Sequence, residues 1–452
     1  MTRGPVLRTI VGFALPLTVA NLLQQSYLFV DSIVVGRYLG DEGLAAVGAG
    51  GPLLYLLGAV FTGIATGFAI RLATMRGAGQ EEQVPAVAAG LAAAAIGWAL
   101  ACLVLVLLLA APALQMTGIH GATAAVSTDF QHALAPGYLA FFGLGGVCAF
   151  LRGLGEAKAP MVLLITCSLV NILLVWWFVG PLHLGVRGAA WATVGGNAVA
   201  AAAGLLYTAR RYPMPLRRVS GIDVRALLRS ALSLGSPVTV QHLLIGAGMA
   251  ILLWIIAPFG TVVLAAVTVV TRMETFTAMI FLDLSGALTM FVAQNLGAGR
   301  PDRARAGLRR TTGLTTALTL VGSAVVVVAA SPIAGLFSVD AGTQQLIGHY
   351  IVLTYPFFVF YTLMVIWHGA MNGAARTKVP LVCTIVSFAV VRLPLSYLVR
   401  DPWGVDGVIW MINVGWFVGC AYTAVVVARH RFGPVSPPER LPVRPEVGGP
   451  VG

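Results

Sequence analysis

Charged residues are scarce in this chain. Only 10% of its 452 residues are Asp, Glu, Lys or Arg, whereas 58% are hydrophobic, and the mean hydropathy is +0.90. A soluble domain carries roughly a quarter charged residues. The scarcity therefore excludes a soluble enzyme or a soluble binding protein and indicates a polytopic helical membrane protein.

Cysteine pairs and nucleotide-binding motifs are also lacking. The five cysteines form no C-x-x-C pair and all fall in apolar segments. This pattern is typical of buried, inert thiols rather than of disulfides or a metal site. No glycine-rich run is followed by Gly-Lys-Ser/Thr, the signature of a phosphate-binding loop. We therefore predict no cofactor, no catalytic residues and no ATP-driven pump.

Long apolar runs fill most of the chain, and each is long enough to cross a bilayer as a helix. The first run is too long for the apolar part of a signal peptide, so we interpret it as a retained helix. The runs predict an all-α membrane protein with twelve transmembrane helices, at 10–38, 44–70, 86–111, 126–150, 160–180, 186–209, 231–258, 262–294, 310–330, 346–370, 379–399 and 404–428.

The basic residues are distributed unevenly between the two sides of these helices. With the N-terminus inside, the outer loops hold only Arg37, Arg187 and Arg400 of the 28 Lys and Arg residues, while Arg272 and Arg392 lie within spans. An excess of positive charge marks cytoplasmic loops. We therefore predict a multi-pass protein of the cell membrane with both termini in the cytoplasm. The net charge of +12 then requires no nucleic-acid partner.

The chain repeats itself with a period of about 220 residues. The matching segments are 39–48 with 259–268, 77–79 with 297–299, 158–160 with 378–380, 185–194 with 404–413, and Pro16 with Pro237. Each half holds six spans, so both halves have the same orientation and are related by a pseudo-twofold axis along the membrane normal. We predict an N-lobe at 1–209, a cytoplasmic linker at 210–230, a C-lobe at 231–429 and a disordered cytoplasmic tail at 430–452.

A polar face interrupts the first apolar segment. Gln24, Tyr27 and Asp31 lie at helical spacing on one side of it, and Pro16 permits a bend earlier in the same helix. A carboxylate within a transmembrane helix is costly and marks a functional site, here a proton or cation site. The repeat places Ile251 or Leu252 at the equivalent position, so the acid belongs to one lobe only.

Other polar residues within spans are candidates for the same cavity. Asn171, Thr193 and Asn197 lie on the fifth and sixth spans, in the same half as Asp31. In the second half, Glu274 and Asp283 lie on the eighth span and Arg392 on the eleventh. We interpret Glu274 as the ion-pair partner of Arg392, because pairing neutralises charge in lipid. Asp283 is compatible with a structural role and with a cavity role.

Several of these motifs together resemble those of the multidrug and toxic compound extrusion (MATE) family, and its DinF-like branch in particular. The resemblance covers the whole chain except the tail. The segments that carry it are NLLQQSYLFVDSIVVGRYLGDEGLAAVG in the first span, RLATMRGAGQ and AQNLGAGR after the second and eighth spans, RGLGEAKAP and MNGAARTKVP, and RLP in the eleventh span.

The resemblance implies alternating access and export of amphiphilic, often cationic compounds, driven by inward flow of protons or sodium. It implies that Asp31 is the first-helix acid, with Tyr27 as its aromatic neighbour and Asn171 and Thr193 as polar neighbours, and that Pro16 is the helix-bending proline. Relatives of the DinF-like branch often have a second acid where this chain has Val175.

This departure bears on the coupling ion. Sodium prefers several hard oxygen ligands, and one Asp with neutral neighbours is a sparse site, whereas one buried carboxyl group is enough to bind a proton. We therefore predict proton antiport rather than a sodium site at Asp31, with small-molecule substrates, the lipid bilayer as surroundings, and a monomer.

Two other functions are alternatives. A lipid-linked oligosaccharide flippase of the same superfamily would line its cavity with several basic residues to hold pyrophosphate. A membrane-embedded transferase would need a cluster of acids or a nucleophile with its base. Only two arginines lie in spans and no such cluster is present, so both rank below the exporter. The residue types do not identify the exported compound.

Overall fold

The computed structural model describes residues 1–116, 121–212, 224–337, 340–430 and 432–433, and nearly all of these residues are helical. The helices of the first half are α1 (Val6–Ala49), α2 (Gly51–Gly77), α3 (Val84–Met116), α4 (Gly121–Leu134), α5 (Tyr138–Gly153), α6 (Lys158–Val179) and α7 (Gly185–Arg211). Those of the second half are α8 (Val224–Ile256), α9 (Thr261–Gly297), α10 (Pro301–Val328), α11 (Ala330–Phe337), α12 (Ala341–Thr354), α13 (Phe358–Gly373), α14 (Lys378–Thr384) and α15 (Leu393–Arg429), with a π-helix at Ile385–Arg392 between the last two.

The predicted all-α membrane fold is confirmed. Among the described residues, ten helical runs are long and apolar enough to cross a membrane. Two of them, Val6–Gly77 and Lys378–Arg429, each contain two predicted spans. Both are divided by a glycine, Gly40 (φ 69°, ψ −167°) and Gly404 (φ 63°, ψ −154°), in a conformation that is open almost only to glycine. With these two divisions the ten runs become the twelve predicted spans.

The chain forms two compact units. One combines Met1–Leu15 with the described residues from Pro237 onward, and the other contains Pro16–Ser236. Helices α1 and α8 therefore each change unit at a proline, and these are the two prolines that the repeat aligns. The sequence predicts the lobe boundary in the basic linker at 210–230. In the structure, the first residues of α1 instead belong to the unit of the second half, and the first residues of α8 belong to the unit of the first half.

Close helix packing explains why the start of α8 belongs to the first-half unit. A Cβ atom added at Gly67 of α2 would collide with the Ala231 carbonyl oxygen of α8, and one at Gly235 would collide with the Gly63 carbonyl oxygen. Small residues at both helices let the two backbones approach this closely. The Gly63/Gly67 pair thus acts as a packing device, as its spacing indicates.

The turns that follow α5 and α13 show the repeat at the level of single hydrogen bonds. In the first, Gly155 N–H donates to Arg152 O and Glu156 N–H to Leu151 O, at 2.9 Å each. The second has the same two bonds, from Ala375 and from the residue after it. This is the Schellman termination, which requires a left-handed residue. Gly155 has φ 87°, and Ala375 adopts φ 58° although it has a Cβ.

Ala375→Gly is expected to stabilise the protein by about 1 kcal/mol, because a left-handed alanine is strained by roughly that much relative to glycine. Thermal unfolding in detergent measures the effect as a higher Tm. The matched control is Gly155→Ala in the other half, which introduces the same strain and is expected to lower the Tm. Equal Tm values for the three proteins would show that neither turn is strained.

Two predicted segments lie largely outside the described residues. Of the linker at 210–230, the structure describes the end of α7 and the start of α8. Of the tail at 430–452, it describes His430, Phe432 and Gly433. Phe432 is buried, its ring lies 4.7 Å from that of His430, and its carbonyl oxygen accepts a hydrogen bond from Arg305 at 3.0 Å.

Candidate functional site

The polar face of α1 carries the first predicted site residues. Asp31 is half-buried, and its Oδ1 atom is fully buried with no hydrogen-bond partner among the described residues. The Tyr27 hydroxyl, one turn earlier, is within electrostatic range of the Asp31 carboxylate and of the Cys167 thiol on α6. Gln24 is half-buried one turn before Tyr27 on the same face. This face therefore carries an incompletely satisfied carboxylate one turn after a tyrosine that lies near α6.

The polar residues of α6 and α7 form one connected group. Asn171 Nδ2 donates to Thr193 Oγ1 at 3.3 Å, and Asn197 Nδ2 donates to the Thr193 carbonyl oxygen at 2.8 Å. Thr193 Oγ1 donates in turn to the Ala189 carbonyl oxygen at 3.2 Å. Asn171 Oδ1 is buried and has no partner among the described residues. The site thus contains a second buried oxygen that can accept a hydrogen bond.

Two observations indicate the register between α1 and α6. Tyr27 lies near Cys167, four residues before Asp31 and Asn171 respectively. Four residues after them, Val35 and Val175 belong to one apolar cluster and are both fully buried. Because a spacing of four keeps residues on one helix face, we infer that Asp31 and Asn171 lie at a similar level on the facing helices. No hydrogen bond joins them directly in the described part of the chain.

The position of the expected second acid lies in the same apolar cluster as Val35. Val175 stands where the resemblance to the DinF-like branch implies a second acid, and it is 0% exposed. Its neighbours in the cluster include Val179, Phe130 and Leu134, all apolar. Among the described residues, no three His, Cys, Asp or Glu side chains come together as a metal site would require. The position of the expected second acid is therefore apolar and closed to solvent.

Pro16 lies inside α1, which continues as a helix on both sides of it. Proline lacks the N–H that would donate to the carbonyl of residue 12, so the helix is weakened at this turn. The unit boundary falls between Leu15 and Pro16. The structure thus places the predicted bending residue where α1 passes from one unit to the other.

The second-half charges form a separate centre. Glu274 of α9 is half-buried and within electrostatic range of Arg392, but no ion pair shorter than 4.0 Å joins them. The predicted direct pair is therefore absent, and the attraction acts over a longer distance. The reason is the position of the guanidinium, whose Cζ lies 4.7 Å from the centre of the Phe388 ring. Asp283 is half-buried two and a half turns after Glu274 on α9.

Tyr361 is a member of this centre that the sequence did not reveal. It is within electrostatic range of both Glu274 and Arg392, and its ring lies 5.3 Å from Phe358 and 5.7 Å from Trp416. Its apolar neighbours in the sequence make it look like an ordinary core aromatic residue. Only the packing of α13 against α9 and α15 reveals its polar neighbours.

The sequence analysis did not predict two acid–base contacts near the starts of the fourth, sixth, tenth and twelfth spans. Arg187 donates two hydrogen bonds to Asp129, both at 2.6 Å, in the first half. At the equivalent positions of the second half, His349 Nε2 lies 2.9 Å from Asp406 Oδ2. The acid and the base have exchanged helices between the halves. Alignment of the two halves residue by residue is the signal that would have found them.

Comparison with known proteins places this geometry in context. The MatE family model matches the chain twice, over residues 16–177 and 237–398. Both matches begin at the prolines where the two units divide. The probable multidrug resistance protein YoeA of Bacillus subtilis is 25% identical over 88% of this chain and 88% of its own length. The probable multidrug resistance protein NorM of Deinococcus radiodurans is 30% identical over 86% of this chain and 87% of its own length.

Solved structures share the fold. A crystal structure of MATE in the bent conformation matches with a TM-score of 0.88 at 21% identity, and the match covers 94% of this chain and 96% of that one. At this level of identity the likeness establishes the architecture, including its twelve spans, and leaves the chemistry of the site to the residues described above.

Proposed function

The chain belongs to the MatE family, and on that premise we propose that it is a secondary active multidrug exporter that expels amphiphilic, often cationic small molecules in exchange for inward protons. Relatives called multidrug resistance proteins, which align over most of the chain, support this substrate class. The DinF-like branch remains a prediction from the motifs. We propose a monomer in the cell membrane, with both termini in the cytoplasm.

The observation that carries the proposal is the pair of buried, unpartnered oxygens at one level of the site, Asp31 Oδ1 and Asn171 Oδ1. Two acceptors that face each other at this level would repel when the carboxylate is ionised. A proton on Asp31 turns its carboxyl group into a donor that Asn171 can accept, so protonation replaces repulsion with a hydrogen bond. Proton uptake at Asp31 would thereby draw α1 and α6 together.

This change couples proton uptake to transport. With Asp31 ionised, the half-buried face of Tyr27 and Gln24 presents a negative charge that attracts a cationic substrate. Protonation from the outside removes that charge and releases the substrate, and α1 bends at Pro16. Thr193 Oγ1 holds the Asn171 amide through the bond at 3.3 Å, and Asn197 in turn bonds the Thr193 carbonyl oxygen at 2.8 Å. Their role is to position the acceptor.

The apolar side chain of Val175 favours a proton over sodium as the coupling ion at Asp31. Sodium and other hard cations need several oxygen ligands, and the adjacent position that would supply a second carboxylate is the buried Val175. A flippase for pyrophosphate-linked sugars is less favoured, because the arginines within spans are Arg272, which is exposed, and Arg392, which is 7% exposed. A cluster of cavity cations that would hold pyrophosphate is not formed by these two residues.

Transport by purified protein in vesicles tests the proposal. We expect an inward proton gradient alone to drive export of a cationic dye, and an inward sodium gradient at equal pH to drive less than about a tenth of that rate, because Asp31 offers sodium too few ligands. Ethidium and an anionic dye of similar size provide the substrate comparison. Transport driven equally by sodium at equal pH would contradict proton coupling, and transport by neither gradient would contradict the exporter.

A further inference from the structure

Close packing defines the position of Asn171 in its unit. A Cβ atom added at Gly196 of α7 would lie 2.8 Å from the Cys167 carbonyl oxygen and 3.1 Å from the Cβ of Asn171. Gly196 therefore fits directly beneath Asn171, and α7 approaches α6 at this residue. The same close approach of a glycine occurs in the other half of the repeat, and it identifies the residue that is structurally equivalent to Asn171.

The equivalent residue is Arg392. A Cβ atom added at Gly415 of α15 would lie 3.0 Å from the Ser387 carbonyl oxygen and 3.1 Å from the Cβ of Arg392. The geometry of Gly196 with Asn171 thus recurs as Gly415 with Arg392. One half of the repeat places a neutral amide at this position, and the other places a cation.

The π-helix explains why the sequence repeat does not align these two residues. Asn171 and Arg392 follow the equivalent helix starts at Lys158 and Lys378, but one more residue separates the second pair. The π-helix Ile385–Arg392 accommodates that extra residue, because its wider turn holds one residue more than an α-turn. A π-turn of this kind is costly to keep and is frequent at functional sites. Here its last residue is the arginine.

Arg392 is a buried cation whose hydrogen-bonding capacity is only partly used. It is 7% exposed, and its buried Nε atom has no partner among the described residues. The guanidinium stacks on Phe388, whose ring fills the space next to Gly248 of α8, so the side chain is held in one orientation. No carboxylate of the described chain lies within ion-pair distance. A guanidinium group held in one orientation, with an N–H donor that has no partner among the described residues, is suited to bind an oxyanion.

The surroundings of Arg392 suit an aromatic ligand. Tyr361 is within electrostatic range of Arg392, remains half-buried, and packs with Phe358 and Trp416 through rings 5.3 and 5.7 Å apart. Glu274, also half-buried, faces the same centre from α9. An aromatic wall thus lies beside a cation and a carboxylate that do not neutralise each other directly.

We propose that Arg392, with Tyr361, forms a subsite for the oxyanion of an aromatic substrate, a carboxylate or a phosphate. The inference rests on the proposed exporter function and names a substrate class for it. The oxyanion accepts hydrogen bonds from the Arg392 fork while its ring packs on the aromatic wall. Glu274 competes with the oxyanion for the charge of Arg392 and so tunes its affinity. Amphoteric aromatic compounds would use this subsite for their acidic end.

Two dyes that differ in one group test the subsite. Rhodamine 110 carries a free carboxylate and rhodamine 123 is its methyl ester, so their aromatic parts are the same. The equilibrium Kd of each dye is measured by fluorescence polarisation with purified full-length protein in detergent, without any ion gradient. We expect Arg392→Gln to raise the Kd of the acid relative to that of the ester about tenfold, through loss of a charge-assisted hydrogen bond.

A second variant separates binding from folding. Glu274→Gln removes the competitor of the oxyanion, so it is expected to lower the Kd of the acid severalfold and leave that of the ester nearly unchanged. Arg272→Gln, at an exposed arginine of the same helix, is the matched control and is expected to keep the ratio of the two Kd values. A purely structural pair would weaken both dyes in both variants, in the same direction.

Competition identifies the oxyanion. Benzoate and phenyl phosphate are each added against bound rhodamine 110, and displacement by either supports the subsite. Equal Kd changes for acid and ester in Arg392→Gln, or failure of the wild type to bind the acid, would overturn the proposal. Because binding is measured without a gradient, a loss of proton-driven transport with the Kd pattern intact would instead count against the exporter mechanism.

Discussion

Asp31→Asn is expected to reduce proton-driven export by roughly 100-fold or more, since it removes the proposed proton carrier of the site. Asparagine has nearly the same shape as a protonated aspartic acid and can donate to Asn171 Oδ1. The variant would therefore be held in the arrangement of the protonated protein. We expect it to fold normally, to unfold at the wild-type Tm or above it, and to lose affinity for cationic dyes.

The measurement combines dye export with proton uptake in the same vesicles. Asp41→Asn is the matched control, because Asp41 is an exposed acid that follows Gly40 in the same helical run. We expect the control to export dye at the wild-type rate. Export by Asp31→Asn at half the wild-type rate or faster, under the same gradient, would rule out Asp31 as the proton carrier.

Asn171→Leu addresses the other half of the switch. It removes the acceptor but keeps the size of the side chain, so Asp31 can still ionise without transmitting its protonation to α6. We expect dye binding to persist while dye export and proton uptake no longer depend on each other. This result would distinguish a switch between two oxygens from a carboxylate that acts alone.

The twelve spans and the two halves could be predicted from the sequence because the signals are local. An apolar run of sufficient length is visible without knowledge of its neighbours, and the repeat aligns even single turns, such as Gly40 with Gly260 and Gly185 with Gly404. The turn at Ala375 keeps the left-handed conformation and the two hydrogen bonds of the equivalent turn at Gly155, although alanine replaces glycine there.

The unit boundaries could not be predicted in the same way. Composition indicates a boundary in the basic linker, where polar residues are concentrated, but the start of α8 packs on α2 through Gly63 and Gly67. Such packing joins residues far apart in the sequence, so no local pattern contains it. The repeat aligns the two prolines at the division, but nothing in their local sequence indicates a boundary between units.

The candidate site was predicted in part. Spacing placed Asp31 and Tyr27 on one face, and their burial agrees with a polar face turned away from lipid. The level of Asn171 relative to Asp31 depends on the register between α1 and α6, which the positions of Cys167 and Val175 indicate. The place of Arg392 was missed because an extra residue in a π-turn shifts the register without leaving a gap in the apolar pattern.

Pro16→Ala and Pro237→Ala are each expected to slow export about tenfold, because they hinder the bending of α1 and α8 and leave the Asp31 site unchanged. Each is also expected to stabilise the folded protein. Each proline lies inside a continuous helix, and each helix changes unit at that residue. Alanine restores the hydrogen bond to the carbonyl of residue 12 or residue 233. It thereby removes a helix defect worth up to about 3 kcal/mol.

A stiffer helix would resist any bend that alternating access requires, and the repeat makes this requirement the same for both halves. We therefore expect dye Kd values near wild type, a higher Tm, and a double variant slower than either single one. Pro112→Ala is the matched control, since Pro112 lies inside α3, which stays within one unit. If Pro237→Ala exported dye at the wild-type rate and only Pro16→Ala were slow, bending would belong to the Asp31 helix alone, and the symmetry of the two prolines would be structural.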